Sequence, residues 1–257
     1  MALVVDTIDS IGVTRLSRWI FNCYVIHNGG AGQSVVVDAG LPSIVEDLPP
    51  VLHRLGIDTS NVAAVVATHA HSDHVGGAAN LARLLGCAVH LPSRAATYLS
   101  GTKARSPGPR EIAKIRPVYR DQPFDFRAAI GLASGAVTAG YAGGKMRWHG
   151  PLPVADLTDG ATLPHSPEWQ VIASPGHTDD SMSYHHAGSR VLLSGDAILC
   201  TKGMAWCTPE VVDRSAADAT NARLVELGVD HLLPGHGRPV SGRDVIVTAV
   251  PATSRPC

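Results

Sequence analysis

Several features are missing from this sequence of 257 residues, and each absence removes a class of protein. No stretch approaches the ~20 consecutive apolar residues that a membrane-spanning helix needs. The first residues, MALVVDTIDSIG, have no cationic start followed by a long apolar run, so we expect no secretory signal peptide. No unit of roughly 20–50 residues repeats along the chain, which excludes a solenoid.

Charge of either sign is not in excess. The chain has 21 Lys and Arg against 22 Asp and Glu, and no run of basic residues stands out. Nucleic-acid-binding proteins typically present a broad cationic face, so we expect a small-molecule substrate and no nucleic-acid partner. A local basic patch remains open.

Cysteine is scarce and scattered, at Cys23, Cys87, Cys200, Cys207 and Cys257. No CxxC pair occurs, which argues against a structural thiolate zinc site. We expect free thiols in a reducing cytoplasm, with a disulfide between Cys200 and Cys207 as the alternative. The hydrophobic share of 45% is that of an ordinary globular protein, and the length fits one domain over residues 1–257.

The first part of the chain alternates predicted strands and helices. Runs typical of strands occur at 18–28, 34–40, 62–69 and 87–92. The Gly-rich stretch 29–33 predicts a turn, and Pro49–Pro50 breaks residues 42–56 into short helical pieces. Residues 78–86 predict a helix that Gly86 ends. This order indicates a layered α/β fold.

Residues 93–152 show no strong period, and their glycines interrupt any helix. We interpret them as an inserted, lid-like segment over the core, with Tyr141, Met146 and Trp148 either facing a pocket or packing against the core. Strand patterns return afterwards, at 169–177, 182–188, 190–199 and 229–237, with a predicted helix at 215–228.

One short segment carries most of the chemistry. Residues 68–74, THAHSDH, follow a predicted strand and contain three imidazoles and one carboxylate. Imidazole nitrogen and carboxylate oxygen suit zinc and similar divalent metals. His69 and His71 can converge on one ion, and Asp73 and His74, projecting the other way, can begin a second site.

Three later segments each place a metal-ligand residue after a strand and a tight turn: Ser-Pro-Gly-His177, Ser-Gly-Asp196 and Pro-Gly-His236. Gly and Pro-Gly turns let the backbone direct the next side chain toward a shared centre. The other eight histidines lie in no such motif, and we assign them to ordinary structure. Two of them, His149 and His165, flank the inserted segment.

The ordered motifs HAHSDH, PGH, GD and PGHG resemble those of the metallo-β-lactamase superfamily over about residues 18–240. The resemblance implies a four-layer αββα sandwich, in which two β-sheets pack face to face with helices outside. It also implies a dinuclear metal site, with His69, His71 and His177 on one ion, Asp73, His74 and His236 on the other, and Asp196 bridging both. Asp38, in VVVDAG, matches the family's acidic residue that orients a ligand histidine.

The resemblance implies two divalent ions. Zinc is the first candidate, and Mn, Fe and Co are alternatives because histidine and carboxylate ligands accept all of them. Two such ions can hold a bridging hydroxide at neutral pH, which would attack a carbonyl or phosphoryl centre. Asp73 is the predicted catalytic residue, since it can ligate the second ion and also orient the nucleophile or pass on its proton.

Differences between this chain and individual branches of the family narrow the range of expected substrates. True β-lactamases lack the bridging Asp, so Asp196 argues against them. Glyoxalase II enzymes carry a long helical C-terminal domain, whereas only 21 residues follow His236. Acyl-homoserine lactonases are similar in ligand set and length, but they carry a Tyr shortly after the bridging Asp, where this chain has Ala-Ile-Leu-Cys-Thr-Lys.

We therefore predict a cytoplasmic, metal-dependent hydrolase of a small ester, thioester or lactone, closest to the lactonase and glyoxalase II-like branch. The alternatives are a phosphodiesterase or nuclease with the same metals, and a non-catalytic metal-binding member of the fold. His177 comes 103 positions after His74, and we expect the segment 93–152 within that gap to set specificity.

Overall fold

The computed structural model describes residues 3–27, 32–142 and 144–256, so Cys257 and residues 29–31 of the predicted turn lie outside it. The strands are, in chain order, β1 (Val4–Ile8), β2 (Val13–Arg18), β3 (Phe21–Ile26), β4 (Ser34–Val37), β5 (Val62–Val66), β6 (Ala88–Pro92), β7 (Ala139–Gly140), β8 (Arg147–Trp148), β9 (Val154–Leu157), β10 (Thr162–Leu163), β11 (Ser166–Ala173), β12 (Met182–His186), β13 (Val191–Gly195), β14 (Ile198–Thr201), β15 (Met204–Cys207), β16 (His231–Pro234) and β17 (Val240–Ser241). The α-helices are α1 (Pro42–Val45), α2 (Leu48–Arg54), α3 (Ser72–Val75), α4 (Ala78–Leu85), α5 (Ala95–Leu99), α6 (Pro109–Ile112), α7 (Arg116–Asp121), α8 (Phe126–Thr138) and α9 (Arg214–Val225). None of the helices in the described ranges is both long and apolar enough to cross a membrane.

Two large mixed sheets organise the chain. The first has the strand order β1-β2-β3-β4-β5-β6-β9, and the second has the order β10-β11-β12-β13-β16-β17. Strands β4, β5, β6 and β9 run parallel in the first sheet, as do β13 and β16 in the second. The carboxyl ends of neighbouring parallel strands therefore meet at one edge of each sheet.

Alternating side chains divide the core into layers. Val35 and Val37 of β4 pack between the two sheets, where they meet Leu193 of β13. Val36, on the opposite face of β4, packs into a core shared with the helices α1, α2 and α4. Leu192, on the outer face of β13, belongs to a third core that includes residues of α9. The predicted αββα sandwich is thus confirmed.

The prediction that glycines interrupt any helix within 93–152 is wrong. The segment contains α5 to α8, and α8 runs unbroken through Gly131 and Gly135. A β-carbon at Gly131 would lie 2.7 Å from Ser43 Oγ, and one at Gly135 would lie 3.2 Å from the Gly40 carbonyl oxygen. Close packing of α8 against the α1 region thus outweighs the low helix propensity of glycine.

A buried arginine joins helix α8 to strand β2. Arg18, at the end of β2, is 2% exposed, and its guanidinium pairs with Asp125 at 3.2 Å and with Asp47. Asp125 is also the N-cap of α8, where its side chain accepts the Arg127 backbone N–H. Because a buried charge is stable only when it is paired, this ion pair fixes where α8 begins.

The cysteines are free thiols throughout the described part of the chain, as predicted. The hairpin β14–β15 pairs Cys200 with Ala205 and Cys207 with Ile198. The alternative disulfide between Cys200 and Cys207 is therefore not formed.

Candidate metal centre

The predicted site residues lie at the ends of strands from both sheets. Asp38 follows β4, the loop from His69 to His74 follows β5, His177 lies between β11 and β12, Asp196 follows β13, and His236 follows β16. Gly195 lets the two sheets approach here: its φ is +50°, and a β-carbon would lie 2.8 Å from the Thr68 side chain. The fold therefore gathers predicted ligands that are up to 167 positions apart in the sequence.

Three imidazoles converge first. His71 Nδ1 lies 3.0 Å from His69 Nε2 and 3.2 Å from His177 Nε2. These nitrogens belong to a group of potential ligand atoms that all lie within 4.8 Å of one another. These are the three histidines that the family resemblance assigns to the first ion.

A second group forms beside the first. Asp73, His74 and His236 also offer ligand atoms within 4.8 Å of one another, and His236 Nε2 lies 3.2 Å from Asp73 Oδ2. Asp196 connects the groups, because its Oδ2 lies 3.1 Å from His236 Nε2 and 3.5 Å from both His74 Nε2 and His177 Nε2. A single carboxylate oxygen thus reaches both groups, as the predicted bridging role requires.

Hydrogen bonds behind the imidazoles fix their orientation. Asp38 accepts the Nδ1–H of His74 at 2.9 Å, and its two oxygens also accept the backbone N–H and the hydroxyl of Thr68. The backbone carbonyl of Glu210 accepts the Nδ1–H of His177 at 2.7 Å. A carbonyl can only accept, so the Nε2 lone pair of His177 faces the cluster.

The two groups differ in charge. Burial lowers the pKa of His71 to about 3, and His177 acts in the same direction. Burial also lowers the pKa of His236, but Asp196 and Asp73 outweigh it and raise that pKa to about 10. The pKa of His74 is likewise raised by Asp196, Asp38 and Asp73 against the effect of burial. Protons on the second group therefore balance its carboxylates, and a divalent ion would replace them.

The residues present fit a pair of divalent ions. His74 Nε2 and Asp196 Oδ1 are buried without a hydrogen-bond partner among the described residues, although both belong to the cluster. Leaving such atoms unpaired is unfavourable, and a bound cation would satisfy them. The donors are imidazole nitrogens and carboxylate oxygens with no thiolate, which suits zinc, iron, manganese or cobalt.

Two buried residues that hold the loop from His69 to His74, called here the ligand loop, were not predicted from the sequence. Tyr141 exchanges backbone hydrogen bonds with both sides of this loop, donating to Ala70 at 3.0 Å and accepting from Ser72 at 3.2 Å. Its hydroxyl donates to Asp180 at 2.5 Å, and the other Asp180 oxygen accepts the Ala70 N–H at 2.9 Å. Asp180 stands three positions after His177, which is the sequence signal that could have found it.

A cleft of about 710 Å³ opens over the cluster. Its floor includes His71, Asp73, His177, Asp196 and His236, and Glu210 also lines it. Its walls are largely apolar, with contributions from Trp19, Phe21, Ile112, Ile115, Tyr119 and Leu132. Among the described residues that line it, none is Lys or Arg.

The inserted segment provides much of this wall. The residues of this segment that line the cleft lie between Ser106 and Ala142. Of the three residues that the sequence left open, Tyr141 lines the cleft, whereas Met146 and Trp148 pack against the core. His149 and His165 are absent from the cleft lining.

Comparisons with known proteins agree with the fold and the motifs. The family model of the metallo-beta-lactamase superfamily matches residues 18–236. A "probable metallo-hydrolase YflN" of Bacillus subtilis is 26% identical over 250 residues, which cover 91% of this chain and 86% of that protein. A "hydroxyacylglutathione hydrolase" of Rhodopseudomonas palustris is 23% identical over 175 residues, which cover 68% of this chain but only 47% of the relative.

Comparison with a solved structure gives the same result for the fold. TTHA1623, described in a di-iron-bound form, is 26% identical with a TM-score of 0.56, and the match covers 88% of this chain and 92% of that one. The span of the family model contains every predicted metal ligand, from His69 to His236. The chain therefore belongs to the metallo-β-lactamase superfamily, and its relatives include metallo-hydrolases.

Proposed function

We propose that this protein is a dinuclear metal-dependent hydrolase that cleaves a small, apolar ester, thioester or lactone. One observation carries the proposal: seven residues bring nitrogen and oxygen donors together beneath a cleft whose walls are largely apolar, and five of the seven line its floor. Pockets of this kind bind small ligands through apolar contact and orient them with a few polar groups.

We assign His69, His71 and His177 to one ion, Asp73, His74 and His236 to the other, and Asp196 to both. Zinc is the first candidate metal; the di-iron form of the solved relative supports iron as the second, ahead of manganese and cobalt. When bound, two such ions would supply an activated water and a Lewis acid at neutral pH.

The remaining chemistry falls to the chain's own side chains. Asp73 is partly exposed on the cleft floor, where its carboxylate can orient the attacking water and accept its proton. Trp19, Ile112 and Leu132 offer apolar surface for the acyl part of a substrate. Tyr119 lines the same wall, and its phenol makes no hydrogen bond to another described residue, so we assign it to the developing oxyanion.

The composition of the walls favours a carbonyl substrate over a phosphodiester. Enzymes that transfer phosphoryl groups commonly place Arg or Lys against the phosphate oxygens, and neither occurs among the described lining residues. The hydroxyacylglutathione hydrolases among the relatives support acyl-group hydrolysis in the same way. We further propose that the substrate is a small molecule rather than a nucleic acid.

A substrate panel combined with metal analysis tests this function. The panel contains a p-nitrophenyl ester, a short acyl thioester, a γ-lactone and bis(p-nitrophenyl) phosphate. We expect about two metal ions per chain by mass spectrometry and turnover of at least one carbonyl substrate. His71→Ala and Asp196→Ala should lose metal and activity together, whereas His53→Ala, an exposed histidine on α2, should change neither.

Two outcomes contradict the proposal. Turnover of the phosphate diester alone would identify a phosphodiesterase, and a fully metal-loaded protein with no turnover would identify a binding protein. Full activity of His71→Ala without its metal would exclude the metal-dependent mechanism itself.

A further inference from the structure

A second cavity of about 460 Å³ lies on the inserted segment. We call it the basic cavity, because six cationic side chains line it: Arg110, Lys114, Arg116, Arg120, Lys202 and Arg255. Asp121 is the one acidic residue in its described lining. This charge is unusual for a chain whose 21 basic residues are otherwise balanced by 22 acidic ones.

Most of these cations form no ion pair within the described part of the chain. Among the described residues, Arg110, Arg116, Arg120 and Lys202 have no ion-pair partner within 4.0 Å, and Lys114 approaches Glu111 at 3.7 Å. Like charges at close range repel one another, and a bound polyanion would remove that repulsion.

The cavity is assembled from three separate parts of the chain. The 109–121 segment supplies four of the cations, the turn between β14 and β15 supplies Lys202, and the C-terminal segment supplies Arg255. A charged helix face exposed to water would not need this convergence. Lys202 also adopts φ +52°, in the left-handed region that favours Gly or Asn, so its charge is placed in the cavity despite its backbone.

The basic cavity and the cleft share a wall. Ile112, Ile115 and Tyr119 of the 109–121 segment line the cleft, while Arg110, Lys114 and Arg120 alternate with them and line the basic cavity. The helical period separates the two sets onto different sides of one segment. A ligand in the basic cavity therefore contacts the same segment that shapes the proposed acyl site.

We propose that the basic cavity binds a phosphate-bearing ligand with two or more negative charges. Guanidinium groups pair with phosphate oxygens in a bidentate geometry, and a cavity of this volume suits a small ligand. Two sources share this chemistry: the phosphorylated carrier of a thioester substrate, and a free phosphorylated effector. The first source rests on the proposed function, whereas binding itself does not.

A small ligand fits better than a nucleic acid. The cations surround one cavity, and they do not continue into the cleft, whose described lining contains no Lys or Arg. A nucleic-acid substrate would need contacts along its backbone that reach the metal ions. Binding of RNA is therefore an outcome that the test must separate.

Calorimetric titration of the metal-loaded protein with ADP tests the binding. We expect saturable binding that weakens between about 50 and 300 mM salt, because the contacts are ionic. In the double variant Arg116→Gln/Arg120→Gln the affinity should fall about tenfold or more. Lys202→Asn, which suits the left-handed backbone, should also weaken binding.

Controls separate this cavity from the metal centre and from general charge. Arg54→Gln/Arg243→Gln removes the same charge from two exposed sites elsewhere and should bind ADP as the unmodified protein does. Metal content should be equal in all variants. Absent ADP binding, or binding that the Arg116 and Arg120 variant retains, would overturn the proposal. A single-stranded RNA that displaces ADP and binds more tightly would also overturn it in favour of a nucleic-acid surface.

Kinetics then distinguish the two sources. If the cavity holds the substrate's carrier, a coenzyme A thioester should have a KM about tenfold below that of the same acyl group on N-acetylcysteamine, and the double variant should abolish the difference. If it holds an effector, ADP should change the rate with the unphosphorylated thioester. Either result supports binding of a phosphate-bearing ligand in the basic cavity. ADP binding without any thioester turnover supports it as well, while contradicting the proposed function.

Discussion

Gly40→Ala tests whether the ligand loop depends on a backbone contact that involves no ligand side chain. Gly40 lies shortly after β4, and a β-carbon there would lie 1.6 Å from the Asp73 carbonyl oxygen and 2.6 Å from the His74 nitrogen. Ordinary contact begins near 3.4 Å, so the peptide between Asp73 and His74 would have to retreat by about 2 Å. Both residues are proposed ligands of the second ion.

The expected effect of this change is large. Metal–ligand distances are held within about 0.2 Å, so a shift of about 2 Å would remove the second ion. A misplacement of about 1 Å can lower a rate about 100-fold, and we expect at least that loss in kcat/KM. Overpacking destabilises by about 1–3 kcal/mol, which for a chain of this size lowers Tm by roughly 2–12 °C.

Mass spectrometry of bound metal, a thermal melt and the carbonyl substrate panel measure these effects. Gly144→Ala is the matched control, because a β-carbon there meets nothing within 4 Å, and it should leave all three readouts unchanged. Gly40→Ala protein that keeps two ions and the unmodified kcat/KM would refute the reasoning.

Three further predictions concern single groups of the site. Asp38→Ala removes the partner of His74 Nδ1 and should weaken binding of the second ion about 10–100-fold in a chelator competition, and unchanged affinity would contradict its orienting role. Tyr119→Phe should lower kcat about 10–100-fold with little change in KM, whereas an equal kcat would exclude its phenol as the oxyanion donor. The pKa of His236 is raised to about 10 in the metal-free chain, because Asp196 and Asp73 outweigh burial. Each protonated imidazole must lose its proton to bind metal, so the association constant of the second ion should rise by at least about tenfold per pH unit from about pH 6 to 9, and a flat profile would contradict the assignment.

The residues of the candidate metal centre could be singled out from the sequence because each is carried by a short local pattern. A buried strand followed by a tight turn places the next side chain at the sheet edge, and the parallel strands bring these edges together. His177, Asp196 and His236 could therefore be found without knowing the packing of the rest. Asp38 was predicted from the family resemblance, and the structure places its carboxylate 2.9 Å from His74 Nδ1.

The groups that orient the predicted ligands were harder to predict from the sequence. Glu210 orients His177 through its backbone carbonyl, so the identity of its side chain carries no signal of that role. The helix α8 was missed because Gly131 and Gly135 lower helix propensity, and the close contacts that require glycine involve Ser43 and Gly40, far away in the sequence. Tertiary packing decided the local structure in this segment.

The segment 93–152 contributes to the candidate metal centre and to the cleft through different residues, and two variants can separate these roles. Ile112 lines the cleft and is exposed, so Ile112→Glu should raise KM for apolar substrates and leave metal content unchanged. Tyr141→Phe keeps the two backbone bonds to the ligand loop but removes the hydroxyl from buried Asp180, at a cost of about 1–3 kcal/mol. It should lower Tm and metal retention while KM changes little. The lost hydrogen bond holds the ligand loop that contains His71, whereas the apolar wall proposed to bind the acyl group is unchanged. If Ile112→Glu lost metal, or Tyr141→Phe raised KM alone, the two roles would not be divided in this way, and specificity could not change in this segment without disturbing the metal ions.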